Sequence, residues 1–346
     1  MLADVILDGH SAQAIGRAAA ALQGGALVAF PTETVYGLGA DAAADAAVAR
    51  VFSAKGRPSN HPLIVHLDDI GKGAAGVAHF ASEVPPFASA LMQAFWPGPL
   101  TLILPRRPGV GSAAAGGQDS IGLRCPDHPV AQALLHACRA LGVMGLAGPS
   151  ANQFGRVSPT TAAHVQDEFG ADLLILDGGA CAVGIESTIV DCTRGAPVLL
   201  RPGAIGLAQL ASAAGQPVLT ALPASAQAPA PRASGTLLAH YAPRAKLRLM
   251  DKRALQTALD MLGTDVAPAA KGPVIATYSR SALRSGSSGV VQRRMPDDAG
   301  ATAQQLFAVL RGFDDQGVKL IWVESPPDGP QWDGVRDRLQ RAAAAD

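Results

Sequence analysis

Short apolar stretches bounded by Gly and Pro alternate with longer stretches of helical period from residue 11 to about residue 210, and this alternation constrains the fold more than any other feature. Strand-like stretches fall at 26–30, 63–67, 100–104, 121–124, 143–147, 173–176, 188–191 and 198–201. Helical stretches fall at 11–23, 44–54, 129–141 and 161–169, with Gly24-Gly25 and Gly56 as stop signals for the first two. Such a pattern predicts an α/β or α+β domain with a largely mixed sheet covered by helices.

Residues 211–244 change character. Ala, Pro, Ser and Gln dominate, with Pro217, Pro223, Pro229 and Pro231 among them, which suits an irregular linker. Beyond it, strand patterns at 246–250, 274–278 and 319–323 and helical patterns at 254–262, 302–313 and 332–344 predict a small α/β domain of doubly wound type. A chain of 346 residues also exceeds what one hydrophobic core usually serves. The expected division is therefore 1–210, a linker over 211–244, and 245–346.

Composition excludes several classes. Hydrophobic residues at 48% and charged residues at 16% are incompatible with disorder. Lys plus Arg equals Asp plus Glu at 28 each, so the basic excess of a phosphate-gripping RNA binder is absent. Cys125, Cys138, Cys181 and Cys192 form no CxxC pair and no HExxH accompanies them, which predicts buried thiols and no metal site. His61 and His66 lack a third ligand nearby in sequence. No apolar run is long enough for a membrane span, and Met1-Leu2-Ala3-Asp4 has no signal-peptide character, so a cytoplasmic location is expected.

Four polar clusters carry candidate chemistry. Phe30-Pro31-Thr32-Glu33-Thr34-Val35-Tyr36-Gly37-Leu38-Gly39 can present hydroxyls and amides to a ligand, although a plain strand connection also accounts for it. Lys55-Gly56-Arg57-Pro58-Ser59-Asn60-His61-Pro62 displays two cations on a proline-stiffened frame next to buried elements. Near a phosphate each would contribute up to about 4 kcal/mol before desolvation. Ser120-Ile121-Gly122-Leu123-Arg124 ends a strand in the side chain best suited to hold a carboxylate by two parallel hydrogen bonds. Gly148-Pro149-Ser150-Ala151-Asn152 and Ser158-Pro159-Thr160-Thr161 lead into a helix, where they serve either as caps or as anion donors. Glu186-Ser187-Thr188-Ile189-Val190-Asp191 and Leu200-Arg201-Pro202-Gly203 add hydroxyls and another cation. No GxxxxGK[ST], strand-following GxGxxG, GxSxG or kinase signature occurs.

Taken together, the stretches PTETVYGLGA, KGRPSNHPLIVH, WPGPLT, GLRCPDHP, GPSAN with SPT, ESTIVD and LRPGAI resemble the Sua5/YrdC threonylcarbamoyl-AMP synthase family, spread in family order over residues 31–205. His240-Tyr241-Ala242-Pro243 resembles the linker of the long form. The resemblance implies a YrdC-like mixed twisted sheet with helices, plus a smaller Rossmann-like C-terminal domain. It also implies synthesis of threonylcarbamoyl-AMP from L-threonine, bicarbonate and ATP, with Mg2+ on the triphosphate and no tightly bound organic cofactor. Thr34, His66, Arg124 and Ser187 would contact threonine. Arg57, His61, Ser120, Ser150, Asn152, Ser158, Arg201 and Tyr241 would face ATP, with Lys55 and Arg57 as the catalytic cations and the linker as a lid. The product would pass to the tRNA threonylcarbamoyl-transferase machinery, and a weak direct tRNA contact is left open.

Two positions depart from the family pattern. Gln153-Phe154-Gly155-Arg156 replaces a Leu-Ser-Gly run, and His61 stands where Asn is frequent. The competing readings are an RNA-binding or ribosome-associated module, disfavoured by zero charge and 4% aromatics, and a carbamoyl transferase, whose acylphosphatase-like or zinc-binding segments are not seen.

Overall fold

The computed structural model describes residues 5–68, 75–220, 231–264 and 273–345. It divides into two compact units: residues 1–154 with 158–236, and residues 155–157 with 237–346.

In the first unit the chain runs β1 (Ile6–Asp8), α1 (Ala12–Gln23), β2 (Val28–Phe30), β3 (Gly37–Asp41), α2 (Asp45–Lys55), β4 (Ile64–His66), α3 (Ala75–Phe80) and α4 (Pro86–Phe95). It continues through β5 (Leu100–Pro105), β6 (Ser120–Arg124), α5 (Pro129–Ala140), β7 (Leu146–Ala147), α6 (Ala162–Phe169), β8 (Leu174–Asp177), β9 (Thr188–Asp191), β10 (Val198–Arg201) and α7 (Leu207–Ala214). The strands form one mixed sheet of order β1-β8-β2-β3-β7-β4-β6-β5-β9-β10. Its period-two alternation sorts side chains onto two faces. Val28 and Phe30 join Ile15, Leu22 and Leu134 from α1 and α5, while Ala29, between them, joins the cluster of Val48, Val65, Leu102 and Ile175.

Helix ends follow capping chemistry. Ser11 and Thr161 lie just outside α1 and α6, and each side chain accepts a backbone N–H as an N-cap. Elements hidden in the sequence also appear, β1 and α3 among them. β3 was expected to be loop, α4 and α7 were not foreseen, and α7 extends into the stretch expected to be irregular from residue 211. After α7 the chain returns to the sheet, Leu219 bridging Val198. Pro223 and Pro229 lie outside the described residues.

The second unit contains β11 (Lys246–Met250), α8 (Lys252–Leu262), β12 (Ile275–Ser279), β13 (Val290–Arg294), α9 (Ala299–Asp315), β14 (Leu320–Glu324) and α10 (Asp333–Ala343). Its sheet is wholly parallel, in the order β11-β14-β12-β13. Asp251 and Asp298 cap α8 and α9.

β3 has glycines at 37 and 39 because the ring of Phe30 lies against them. A Cβ at residue 39 would sit 3.0 Å from Phe30 Cε1 and 3.1 Å from Val28 O. Gly39→Ala should therefore destabilise the chain by about 1–3 kcal/mol. Gly16→Ala, where a Cβ in the middle of α1 meets nothing within 4 Å, should stabilise it by about 0.5–1 kcal/mol. Urea midpoints with unchanged m-values would check both.

Candidate active site

The site of the first unit begins where β2 ends. Thr32 Oγ1 accepts from the N–H groups of Thr34 and Val35 and donates to Val35 O at 2.6 Å. The hydroxyls of Thr32 and Thr34 are 2.8 Å apart, and either can be the donor. Thr34 Oγ1 accepts from Arg124 Nη1 at 2.8 Å. Arg124 closes β6, with Nη2 2.6 Å from Glu33 Oε1 and Nε 3.4 Å from Gly98 O. His66 is opposite Arg124 in the parallel β4–β6 register, its ring edge-on to Phe30 at 5.5 Å. Burial, and next the charge of Arg124, push its pKa down to about 3, so the imidazole is neutral.

Ser187 sits just before β9, 2.7 Å from Thr101 Oγ1 on the adjacent β5. Arg201, only 2% exposed, directs Nε and Nη2 onto Ser187 O at 3.0 and 2.8 Å and Nη1 onto Ser234 O at 2.8 Å.

A second set of cations lies at the end of α2. Lys55 is 2% exposed and donates to Ser150 O at 2.5 Å and to Asn152 O. Burial, followed by the neighbouring Arg57, holds its pKa well below 10.5, while Glu168 and Glu186 act in the opposite direction. Gly56, at φ 60°, ends the helix in the left-handed region and turns the chain toward Arg57. Arg57 Nη2 reaches Pro62 O at 2.9 Å and Ser234 Oγ at 3.4 Å, and the guanidinium lies 5.6 Å from the Phe154 ring centre. His61 also meets Phe154 edge-on, at 5.6 Å; burial and then Arg57 lower its pKa. Ser158 Oγ donates to Glu186 Oε1 at 2.5 Å.

Backbone pairing joins the two sets. Tyr36 N donates to Pro159 O, Leu38 N to Pro149 O and Ala151 N to Tyr36 O, so the loop of Thr34 lies against the segments of Ser150 and Ser158. Ser120 lines a narrow cleft with Thr101, Gly122, Ile189 and the linker residues Arg232–Ser234. Gln118 Oε1 accepts from Arg232 N there.

Of the residues expected from sequence, Thr34, Lys55, Arg57, His61, His66, Ser120, Arg124, Ser150, Asn152, Ser158, Ser187 and Arg201 belong to this unit and are linked by these contacts. Tyr241 belongs to the second unit, stacked on Phe307 at 5.6 Å with Arg338 5.3 Å from its ring centre. Sequence reasoning assigned no role to Glu33, Thr101 and Glu186, although all three stand within the motif stretches, nor to Ser234 in the stretch expected to be linker. Among the described residues no group of three His, Cys, Asp or Glu could hold a metal, and no helix is long and apolar enough to cross a membrane.

Comparison with known proteins agrees with this geometry. The Sua5/YciO/YrdC domain family, described as telomere recombination, matches residues 20–203, and a family described as threonylcarbamoyl-AMP synthase, C-terminal domain, matches residues 205–344. This chain is a long-form Sua5 family member. It is 37% identical over 343 residues to a threonylcarbamoyl-AMP synthase of Bacillus subtilis, covering 95% of this chain and 92% of the relative. A synthase of Pyrococcus abyssi is 36% identical, with 94% and 93% covered. The crystal structure of P. abyssi Sua5 complexed with L-threonine superposes with a TM-score of 0.80 at 33% identity, covering 95% and 94%. The Sua5 fold, a large mixed sheet followed by a smaller parallel one, is therefore that of this chain.

Two expected outcomes follow from the site. His66 and its unfolded counterpart are both neutral above pH 6.5, but on acidification only the unfolded chain takes up the proton until about pH 3. Stability is thus lost as pH falls through that window, and His66→Gln should lose less between about pH 7 and pH 5, read from denaturant midpoints. Equal losses would contradict the buried neutral assignment. Because His61 and Phe154 touch, His61→Asn and Phe154→Ser should be non-additive in their effect on KM for nucleotide. A coupling of about 0.5–1.5 kcal/mol is expected from a double-mutant cycle, and simple additivity would show that the contact has no part in nucleotide binding.

Proposed function

We propose that this chain forms threonylcarbamoyl-AMP from L-threonine, bicarbonate and ATP, as the activated donor for N6-threonylcarbamoyladenosine at position 37 of tRNA. The observation that carries the reading is a carboxylate clamp, Arg124 with Thr34, in one network with the buried cations Lys55, Arg57 and Arg201. Its long-form relative from P. abyssi is known in complex with L-threonine.

The chemistry needs little covalent participation from protein. Threonine must present a neutral amine to take up carbon dioxide or bicarbonate, and a free α-amino group titrates near pH 8. A carbamate oxygen then bonds to the α-phosphorus as the bond to the β-phosphate oxygen breaks and pyrophosphate leaves. Lys55, Arg57 and Arg201 hold the triphosphate and stabilise the charge that develops there, an effect of positioning and electrostatics. Ser120, Ser150, Asn152 and Ser158, with His61 alongside Arg57, frame the rest of the nucleotide, while Ser187 and neutral His66 orient threonine. Magnesium enters as the counter-ion of the triphosphate. Discrimination against serine rests on one methyl group, worth roughly 1–3 kcal/mol in an apolar niche. The four cysteines are buried thiols, and burial pushes Cys138 and Cys181 up to about 12, so none is a ready nucleophile.

Pyrophosphate release should require threonine, bicarbonate and ATP together. An RNA-binding module would release none under any condition, and a carbamoyl phosphate user would be indifferent to threonine. Lys55→Ala and Arg57→Ala, checked for folding by circular dichroism, should each lower turnover by about 10²–10³-fold. Unchanged release by both folded variants would refute the phosphate assignment.

A further inference from the structure

Glu33 is buried in the same loop as Thr34, and its carboxylate is fixed at both oxygens. Oε1 lies 2.6 Å from Arg124 Nη2, and Oε2 accepts from Asp127 N at 3.0 Å. Its own carbonyl accepts from Val183 N at 2.7 Å, so the backbone is held as well. The two side chains of the ion pair are 4% and 7% exposed, which places both charges out of water.

Counting donors gives the consequence. A guanidinium carries five N–H groups. Arg124 spends one on Gly98 O, one on Thr34 Oγ1 and one on Glu33 Oε1. That leaves one N–H on each terminal nitrogen, the number that a single carboxylate takes. Counting charge gives a second consequence. Arg124 and Glu33 sum to zero, so threonine enters as the zwitterion without adding net charge to a buried place, and gives up its ammonium proton only for the later carbamate step. A phosphate would bring one or two uncompensated negative charges, at the desolvation cost that makes unpaired buried ions unfavourable. At Lys55 the bonded partners are instead the carbonyls of Ser150 and Asn152, dipoles rather than a counter-charge, and the carboxylates of Glu168 and Glu186 act on it only through space.

We infer that Glu33 is a positioning and selectivity residue: it fixes Arg124 for one carboxylate and, by neutralising it, keeps phosphate and pyrophosphate out of the amino-acid subsite. This rests on the assignment of Arg124 to threonine. It gives two neighbouring subsites, both built on buried cations, opposite preferences for an amino acid and for a polyphosphate.

The test measures binding of L-threonine to the full chain by calorimetry, at a saturating concentration of a non-hydrolysable ATP analogue, with inorganic phosphate as competitor. Phosphate should not weaken threonine binding to the native chain. In Glu33→Gln it should compete, with an inhibition constant at least about tenfold lower than in the native chain, while affinity for the ATP analogue stays unchanged. Glu33→Asp retains the charge and should behave like the native chain, a rescue that a purely structural role would not produce. Competition by phosphate in the native chain would overturn the inference even if Glu33→Gln failed to fold. So would a folded Glu33→Gln that remained indifferent to phosphate. Arg124→Lys separates the two levels of the argument. If it leaves threonine affinity unmoved, the assignment of Arg124 falls and the inference with it. If it weakens threonine while Glu33→Gln stays indifferent to phosphate, only the role of Glu33 falls.

Discussion

Three backbone hydrogen bonds hold the first unit's site together: Tyr36 N to Pro159 O, Leu38 N to Pro149 O, and Ala151 N to Tyr36 O. Each is worth only about 1 kcal/mol net, yet together they fix the loop of Thr34 against the segments that carry Ser150 and Ser158. Tyr36 reinforces the junction from the other side. Its buried hydroxyl donates to Gly179 O at 2.7 Å and accepts from Gly178 N at 3.2 Å, which ties the loop to the segment leading to Ser187. Without that junction Arg124 with Thr34 and the cations at the end of α2 would belong to separate parts of the sheet.

The arrangement is costly in electrostatic terms. Lys55, Arg57, Arg124 and Arg201 are each under 10% exposed, and a buried ion loses several kcal/mol of hydration. The fold offsets much of this with main-chain oxygens. Pro62 O serves Arg57, Ser150 O serves Lys55, and Ser187 O receives two donors from Arg201. A carbonyl solvates a cation without cancelling it, so positive potential survives for an incoming polyanion. A carboxylate cancels it, as Glu33 does for Arg124. Lys55 is bonded to dipoles, with Glu168 and Glu186 acting on it only through space, whereas Arg124 is bonded directly to a counter-charge, a difference made in the residues around the cations rather than in the cations themselves.

This explains what could be read in the sequence and what could not. The ranges 188–191, 198–201 and 246–250 are strands as expected, because each is a short apolar run with clear turn residues beside it. β3 was hidden because Gly37 and Gly39 read as loop. They are glycines in a strand since the Phe30 ring occupies the space of their side chains. β13 was hidden by its polar Gln292-Arg293-Arg294 end, exposed in the folded chain. The cations of the site were legible, since Lys, Arg and strand-end position are local features. The role of Glu33 was not, because its partner Arg124 lies 91 residues away in sequence and only the β-sheet register brings them together.

The departures at His61 and Phe154 are instructive in the same way. Read along the chain they are two unrelated oddities, a histidine in place of a frequent asparagine and an aromatic ring where a hydroxyl is usual. In the fold they meet edge-on at 5.6 Å, and the guanidinium of Arg57 lies 5.6 Å from the same phenyl ring. An isolated imidazole beside Arg57 would pay for charge repulsion whenever protonated; burial and Arg57 instead lower its pKa, which favours the neutral form and makes an aromatic contact compatible with the cation. Phe154 supplies that contact and a π-face for Arg57. The two residues thus meet at one side chain, Arg57, with Phe154 in contact with its guanidinium and His61 lowered in pKa by burial and by its charge.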